Sequence, residues 1–419
     1  MNVLLKSAII VDASSKHHLK KRDILIENGT ITKIAASISN PTAKEISLDN
    51  LHVSQGWFDP SVSFGEPGYE ERETIENGLM TAAQSGFSHV AVNTNTNPVA
   101  DTKSTIQFLK SKAAKNAVTL HPIGTLSAGS KGEDLAELYD MQNEGAISFY
   151  DYKKPIANAN LLKIALQYVQ NFNGLVQSFP LNATISPKGM VHEHTHSTKL
   201  GLKGIPSLSE ELQITRDLYI LEYTGGRLHI PTISTKKSVE LIKEAKKNGL
   251  NVSCSVAINN LFLTDEVLES FDTNYKLLPP IRAKEDAKAL IKGLTEGVID
   301  GVTSDHNPID IEHKNTEFDH AAFGSIGLES CFGALNTLIG FEKAVKSFTQ
   351  LKSHFNIENH SITENALANL TLFNPEVEWT FTIDHILSSS QNAALLGEAL
   401  KGKAYGVFGN KKLILSKEW

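Results

Sequence analysis

The chain has 419 residues, which is longer than a chain that folds around a single hydrophobic core usually is. Its length therefore predicts a large domain with a smaller one beside it. The formal net charge of -7 argues against nucleic-acid binding, which depends on clustered lysine and arginine. No apolar run approaches the roughly 20 residues that cross a bilayer. Cys254 and Cys331 are isolated in sequence, which indicates a reducing compartment. We therefore expect a cytoplasmic protein that binds neither nucleic acid nor membranes.

The first 55 residues alternate short β-rich runs with turns, in the order SAIIVDA, DILIENG, TITKIAA and KEISLD. Asn28-Gly29 between the second and third runs is a strong hairpin signal. The pattern returns at the end of the chain, in ANLTLFNP, EWTFT, AYGVFG and KKLILS. We predict that residues 1–55 and 361–419 together form one small β-sandwich domain.

Between these ends, residues 56–360 alternate short apolar runs with helical stretches. The predicted helices include Glu73 to Ser85, Leu161 to Asn171, Ser209 to Thr224, Lys237 to Asn248 and Lys284 to Glu296. Strand and helix alternating over this length predict an α/β fold with a parallel (β/α)8 TIM-type barrel. In such a barrel the chemistry lies where the strands end. The segments to compare are therefore 59–68, 93–97, 151, 177–180, 232–235, 258–260 and 305–308.

Motifs near these segments resemble the dihydroorotase family of the amidohydrolase superfamily, in order and over nearly the whole chain. They are FGEPGYEERETIENGLMTAAQSGF, NTNPVAD, LGLKGIPSLSEE, ISTKKSVELI, YKLLPPIRAKEDAKALIKGL, IDGVTSDHNP, AFGSIGLES and TLFNPEVEWT. The resemblance implies a zinc hydrolase of pyrimidine synthesis, which closes carbamoyl aspartate into dihydroorotate and reopens it. In such enzymes zinc lowers the pKa of bound water and polarises a carbonyl.

The positions that the resemblance assigns to the metal do not carry imidazoles. Neutral side chains stand where the family has ligand histidines, at Ser61, Ser63, Thr232 and Asn259, and segment 177–180 also lacks a histidine. Gly65 replaces the family's substrate-binding arginine, and Leu278 replaces its asparagine. Hydroxyls and amides are poor zinc ligands, so we predict no metal at these positions and no other cofactor.

Three positions match the family's polar residues. Asp305 aligns with the catalytic aspartate and Asn95 with a substrate-binding residue, and Asp151 stands where the family places a metal-bridging acid. Without a metal-bound water, Asp305 and Asn95 are predicted to be vestigial. The resemblance then implies a catalytically inactive relative that serves as a structural or regulatory partner, for example of aspartate transcarbamoylase. A homodimer is expected by analogy with related barrels.

Two other functions remain open. The run His192, His194, His196 could bind zinc, with Asp151 or Asp305, in an active cyclic-amide hydrolase of atypical site. Pro187 to Gly189 just before it instead predicts an exposed loop with incidental histidines. The third possibility is a module that binds a small ligand without converting it. His229 lies three residues before Thr232 and is expected to be a core histidine.

Overall fold

The computed structural model describes residues 2–416. The strands are β1 Asn2–Val11, β2 Lys21–Glu27, β3 Thr30–Ala35, β4 Lys44–Ile46, β5 His52–Gln55, β6 Trp57–Val62, β7 Phe87–Val92, β8 Thr119–Pro122, β9 Val176–Gln177, β10 Val191–His192, β11 Gly204–Ile205, β12 Leu228–Ile230, β13 Val252–Ala257, β14 Gly301–Thr303, β15 Leu370–Thr380, β16 Ala399–Gly409 and β17 Lys412–Leu415. The helices are α1 Ile75–Gln84, α2 Lys103–Ala113, α3 Leu138–Glu144, α4 Ala159–Val169, α5 Thr195–Leu200, α6 Ser207–Thr224, α7 Lys236–Lys247, α8 Ile258–Phe262, α9 Lys284–Thr295, α10 Ile311–Lys314, α11 Leu328–Ile339 and α12 Phe341–Thr349.

Strands from both ends of the chain share one eight-stranded sheet. Its order is β17-β16-β15-β5-β1-β2-β3, and β4 pairs with β1 as well. The junction is β5, which runs parallel to β1 on one side and antiparallel to β15 on the other. Alternate side chains of these strands form an apolar core, which includes Val3, Leu5, Ile24, Ile26, Val53, Leu370, Leu372 and Phe408. The limits 1–55 and 361–419 stay a prediction.

The hairpin predicted from Asn28-Gly29 is confirmed. Asn28 and Gly29 both have positive φ, of 52° and 86°, and the strands on either side pair antiparallel. Two successive residues of positive φ match the twist of a two-residue hairpin, and asparagine followed by glycine tolerates them best.

The middle of the chain is α/β, with parallel strands in two larger sheets and in the separate pair β10-β11. One sheet has the order β6-β7-β8, and the other has the order β9-β12-β13-β14. Phe149 connects them, because it forms parallel bridges to Gly124 after β8 and to Val176 in β9. At the other side, the Asp59 carboxylate of β6 accepts hydrogen bonds from the Thr303 hydroxyl at 2.5 Å and the Ser304 amide at 2.9 Å, next to β14. The run GAISFYD thus contributes an isolated bridge where a strand was expected.

All five predicted helices are observed, with ends displaced by up to two residues, as α1, α4, α6, α7 and α9. Side-chain caps explain two of the starts: the hydroxyl of Thr74 accepts from the Asn77 amide, and that of Thr235 accepts from the Ser238 amide. Trp57 is fully buried and packs on four phenylalanine rings, Phe87, Phe332, Phe348 and Phe373. This cluster joins the first parallel strand to α11, α12 and β15.

Both cysteines are buried, and both are unpaired, which agrees with their isolation in the sequence. Within residues 2–416, no helix combines the length and the apolar character that crossing a bilayer requires.

Candidate functional site

Several predicted site residues, with some of their neighbours, lie at or after the carboxyl ends of the parallel strands. We call these strand ends the strand-end site and define it by Ser61, Ser63, Asn93, Asn95, Lys153, Thr232, Asn259, Asp305 and His306. Each follows or ends a parallel strand or its connection. Such edges hold the reacting groups of parallel α/β proteins, because neighbouring strands end at the same level.

Asn93 ties together the two serines at the end of β6. Its side-chain amide donates to the Ser61 hydroxyl at 3.1 Å and to the Ser63 hydroxyl at 3.2 Å. All three residues are buried. The backbone N–H of Ser63 also donates to the carbonyl of His306 at 2.7 Å, which fixes the end of β6 against the segment after β14. The serines are therefore part of a neutral network closed by an amide.

Asp305 forms a buried ion pair with Lys153. The Lys153 Nζ lies 2.8 Å from Asp305 Oδ2, and each side chain is only 10% exposed. Burial raises the pKa of Asp305, and the ammonium of Lys153 opposes that rise. Lys153 and Asp305 both have positive φ, 52° and 50°, a backbone conformation that costs free energy in residues other than glycine. The ammonium of Lys153 thus pairs with the carboxylate of Asp305, the residue predicted to be vestigial.

Other atoms at the strand-end site have no hydrogen-bond partner among the described residues. They are Asn95 Oδ1, Thr232 Oγ1, Asn259 Oδ1, Asp305 Oδ1 and His306 Nε2, all buried. Thr232 also has a φ of +52°, which is rare for a β-branched residue. Buried polar groups nearly always have partners, so this concentration marks an edge suited to polar molecules.

His306 is held as a neutral imidazole. Its Nδ1 accepts a hydrogen bond from the Gly327 amide at 3.1 Å, which leaves the proton on Nε2. Burial lowers the pKa of His306 to about 3. The histidine next to Asp305 therefore carries no charge at neutral pH.

Asp151 is directed away from Asp305. One carboxylate oxygen accepts from the backbone amides of Leu126 and Ser127, at 3.0 and 3.1 Å, and the other accepts from the Ser127 hydroxyl. Burial raises the pKa of Asp151, and these hydrogen bonds oppose the rise. The carboxylate of Asp151 therefore holds the loop after β8 in place through these hydrogen bonds.

Gly65 has no space for a side chain. A Cβ built on it would lie 1.7 Å from the carbonyl oxygen of Tyr69. The same turn is closed by two backbone bonds, from the Gly65 amide to Glu73 and from the Tyr69 amide to Gly65. An arginine at position 65 would require this loop to be rebuilt. Leu278 is partly buried and packs on a separate apolar cluster that contains Phe58 and Tyr150.

The histidine run does not form an exposed loop, so that prediction is wrong for its first member. His192 is buried in β10, His194 precedes α5 and His196 lies within it. Arg282 explains the burial of His192, since its guanidinium donates to His192 Nδ1 at 3.0 Å. His194 Nδ1 lies 2.9 Å from Asp265 Oδ2.

His192, His194 and Asp265 are the group of metal-ligand residues that residues 2–416 bring together, with ligand atoms within 4.8 Å of one another. Arg282 opposes a metal there. Because a guanidinium can only donate, His192 Nδ1 must accept, and the proton then sits on Nε2. Burial and the charge of Arg282 lower the pKa of His192 to about 3. The nitrogen that faces away from Arg282 thus carries hydrogen instead of a lone pair.

Comparisons with known proteins identify the family. Residues 53–238 match the family model described as Dihydro-orotase-like. The chain is 36% identical, over 99% of both chains, to a protein named dihydroorotase from Pelotomaculum thermopropionicum. It is 33% identical to one from Geobacter metallireducens, over 98% of this chain and 99% of the relative. The chain belongs to the dihydroorotase family.

Solved structures show the same fold at lower identity. The L-hydantoinase (dihydropyrimidinase) from Arthrobacter aurescens superposes with a TM-score of 0.86 at 20% identity, over 99% of this chain and 96% of its own. The dihydropyrimidinase from Brevibacillus agri gives a TM-score of 0.83 at 19% identity, over 100% and 96%. At this identity the likeness concerns the fold alone.

The zinc of a dihydroorotase does not fit the residues of the strand-end site. Ser61 and Ser63 are bonded to an amide, and Thr232 and Asn259 offer neutral oxygens, so the charged and imidazole donors that zinc prefers are missing from these positions. The carboxylate of Asp305 is already neutralised by Lys153.

The sequence did not predict the roles of Lys153 and Arg282, which set the charge around Asp305 and the protonated nitrogen of His192. Lys153 lies in the run DYKKP, where lysines are ordinarily solvated, and no pattern marks it as buried. Arg282 lies in a matched motif, PPIRAKED, but its contact with His192 spans 90 positions. His229 agrees with its expected core role, because it is buried and bonds Ser253 and Ser255 through its two nitrogens.

Proposed function

We propose that this chain is a dihydroorotase-like protein of pyrimidine synthesis that has lost catalysis and acts through a partner protein. We further propose that its parallel strands close into a (β/α)8 barrel, with the terminal strands forming a β-sandwich domain. The observation that carries the loss of catalysis is the ion pair between Lys153 and Asp305. The ammonium of Lys153 neutralises the carboxylate at the place where the enzymes of the family need a metal.

A simple estimate shows how the ammonium cancels the attraction of Asp305 for a metal. Two unit charges 4 Å apart interact by about 4 kcal/mol at an effective dielectric constant of about 20, so a divalent ion would be attracted by Asp305 and repelled by Lys153 by similar amounts, about 8 kcal/mol each. The serines and the amides of the site have no charge with which to add a net attraction. Zinc would therefore have to displace Lys153 or remove its proton.

The remaining groups are too weak to catalyse the reaction alone. Asp305 could provide general acid–base help, worth about 10²- to 10⁴-fold. Enzymes typically accelerate reactions by about 10⁶-fold or more. We expect no turnover of dihydroorotate or carbamoyl aspartate, even with added Zn²⁺, Co²⁺ or Mn²⁺.

The test is a turnover assay in both directions on protein purified without a histidine tag, with metal content measured by plasma emission. The Asp305→Ala variant, prepared identically, controls for contaminating host enzyme. Activity in the unmodified protein that disappears in Asp305→Ala would refute the proposal and favour an active hydrolase with an atypical site. Equal background rates in both preparations would support it.

We propose aspartate transcarbamoylase as the partner and the cytoplasm as the location. The family resemblance motivates the partner, and the two buried free thiols are consistent with a reducing compartment. Co-expression of the two proteins followed by size exclusion tests this. Separate elution of both proteins at micromolar concentration would contradict the partner.

Ligand binding without conversion is a second candidate, and the unpartnered polar atoms of the strand-end site favour it. Dihydroorotate or carbamoyl aspartate would then raise the unfolding temperature in a saturable manner. The Asn95→Ala variant should lose the shift. A shift that persists in this variant would locate the binding elsewhere.

A further inference from the structure

A cavity of about 440 Å³ lies at the opposite ends of the parallel strands from the strand-end site. His89, near the start of β7, and Thr119, which begins β8, line it on one side. Turns and segments that border the eight-stranded sheet line the other side. We call it the amino-end cavity and define it by His89, His121, Ile147, Ile357, Ala368, Asn369 and Lys411. Its size is that of small-molecule sites, which often lie where two packed units meet.

An asparagine and two histidines form a chain of hydrogen bonds along one wall of the amino-end cavity. The Ser88 hydroxyl donates to Asn369 Oδ1 at 2.6 Å, which orients the Asn369 amide. That amide donates to His89 Nε2 at 2.9 Å, so His89 carries its proton on Nδ1. His89 Nδ1 then donates to His121 Nε2 at 2.9 Å, and His121 must carry its own proton on Nδ1. The chain therefore runs in one direction and ends on an N–H of His121.

The last N–H of this chain has no acceptor within residues 2–416, although the ring that carries it is held firmly. The His121 ring stacks on His89 with 5.2 Å between centroids and meets the Phe58 ring edge-on at 6.1 Å. Burial lowers the pKa of both histidines, that of His121 to about 4, and the charge of Lys352 lowers it further. His121 is therefore a neutral and oriented donor in the wall of the cavity.

Lys352 is a buried cation to which no carboxylate among the described residues is paired. Its side chain is almost fully buried, and its Nζ donates to the carbonyl of Gly56. Burial lowers the pKa of Lys352 to about 7. Because buried charges are ordinarily paired, an anion close to this lysine would stabilise its charged form. The charge of Lys352 also acts on both histidines of the amino-end cavity.

Lys411 brings a second ammonium group to the amino-end cavity. It lies in the turn between β16 and β17, where Asn410 and Lys411 have φ of 48° and 62°. Its stem passes over Gly29: a Cβ on this glycine would lie 2.6 Å from Lys411 Cγ, so the glycine leaves the space that the lysine fills. Glu358 is the one acid among the described residues that line the cavity, and its side chain is 87% exposed. With Lys352 included, positive charge exceeds negative charge here.

We propose that the amino-end cavity binds a small molecule through an oxyanion, which is a phosphate or a carboxylate group. The N–H of His121 and the ammonium of Lys411 would donate to its oxygens, and the charge of Lys352 adds to the attraction. Ile147 and Ile357 offer apolar surface to the rest of the molecule. A metal ion is disfavoured, because the free nitrogen of His121 carries hydrogen instead of a lone pair and the nearby cations would repel the ion.

Thermal unfolding of the full chain with simple anions tests the site. Sodium phosphate or sodium acetate should raise the unfolding temperature in a saturable manner, whereas sodium chloride of equal ionic strength should not. The anion with the stronger effect at equal concentration identifies the group that the cavity takes. The absence of a saturable rise with both phosphate and acetate would overturn the proposal.

Two variants locate the binding. His121→Phe keeps a ring beside His89 but removes the N–H, and Lys411→Met keeps the stem but removes the charge. Each should weaken anion binding by about tenfold or more. Lys412→Met is the matched control and should bind like the parent. Lys412 is the next residue of the same turn, but it donates to the carbonyl of Lys115 and does not line the cavity.

Nitrogen NMR of the histidine rings provides a measurement that does not depend on stability. In the unmodified protein the protonated nitrogen of His121 should be Nδ1, and its resonance should shift as phosphate or acetate binds. An anion effect that either variant leaves undiminished, or a His121 resonance that does not respond, would overturn the proposal. If His121→Phe fails to fold, Lys411→Met and the His121 resonance decide.

Discussion

Replacing Lys153 by methionine removes one partner of the buried pair and keeps the length of its side chain. The carboxylate of Asp305 would then lose its sole described hydrogen-bond donor, since Oδ1 already has none within residues 2–416. Breaking a fully buried pair costs about 3–5 kcal/mol. Because both side chains retain 10% exposure, we expect a loss of about 2–4 kcal/mol in the free energy of unfolding.

Urea unfolding at pH 7 measures this loss. Lys237→Met is the matched control: Lys237 lies 3.1 Å from Glu240, but both side chains are more than half exposed, so its loss should stay within about 0.5 kcal/mol. The double variant Lys153→Met/Asp305→Asn should regain most of the stability, because no unpaired charge remains. Asparagine is chosen since it tolerates the positive φ of position 305.

The pH dependence has a definite sign. Burial already raises the pKa of Asp305, and removal of Lys153 should raise it further. A carboxyl whose folded pKa is raised binds protons more tightly when folded, so its destabilising effect fades as pH falls. The difference between Lys153→Met and the unmodified protein should therefore shrink from pH 7 to pH 4. A single variant as stable as the parent at pH 7, or a difference that grows toward pH 4, would refute the reasoning.

Three further outcomes are expected. Lys352 is buried, donates to the carbonyl of Gly56 and has its pKa lowered to about 7 by burial, so Lys352→Met should gain about 1–3 kcal/mol at neutral pH. The unfolded chain holds more protons than the folded one between pH 7 and the ordinary lysine pKa, so the parent should gain stability across that window, and the variant should lose this slope in urea titrations. Gly65→Arg should lower the unfolding temperature without restoring turnover, because its Cβ meets the Tyr69 carbonyl. Zinc bound by the protein in equilibrium dialysis should stay below one equivalent and should be unchanged in His194→Ala; a stoichiometric site that this variant abolishes would contradict the argument from Arg282.

The architecture was readable from sequence because it rests on local patterns. Each apolar run predicts a strand, and each amphipathic stretch predicts a helix. Residues such as Thr74 and Thr235 mark where two of the helices begin. The run GAISFYD was predicted as a strand but contributes only the bridges of Phe149 to Gly124 and Val176. Such short pairings depend on residues distant in sequence, which a local pattern does not include.

The site was only partly predictable because ion pairs and tautomers depend on distant contacts. Sequence showed that Ser61 and Ser63 replace imidazoles, but it gave no sign that Asn93 would bind both. Lys153 and Asp305 are 152 positions apart, and both have positive φ, a conformation that is uncommon outside glycine and that the sequence pattern does not mark. The burial of His192 depends likewise on Arg282.

The position of β5 has a consequence for how the protein is made. Its one edge pairs with β1, which is synthesised just before it, but the other pairs with β15, which lies roughly 300 residues later. At about 5–20 residues per second, that edge waits on the order of 15–60 seconds on the ribosome. During this time an unpaired strand and its apolar core face are open to other nascent chains. The demand for protection by chaperones should therefore concentrate on the first strands, long before the last ones emerge.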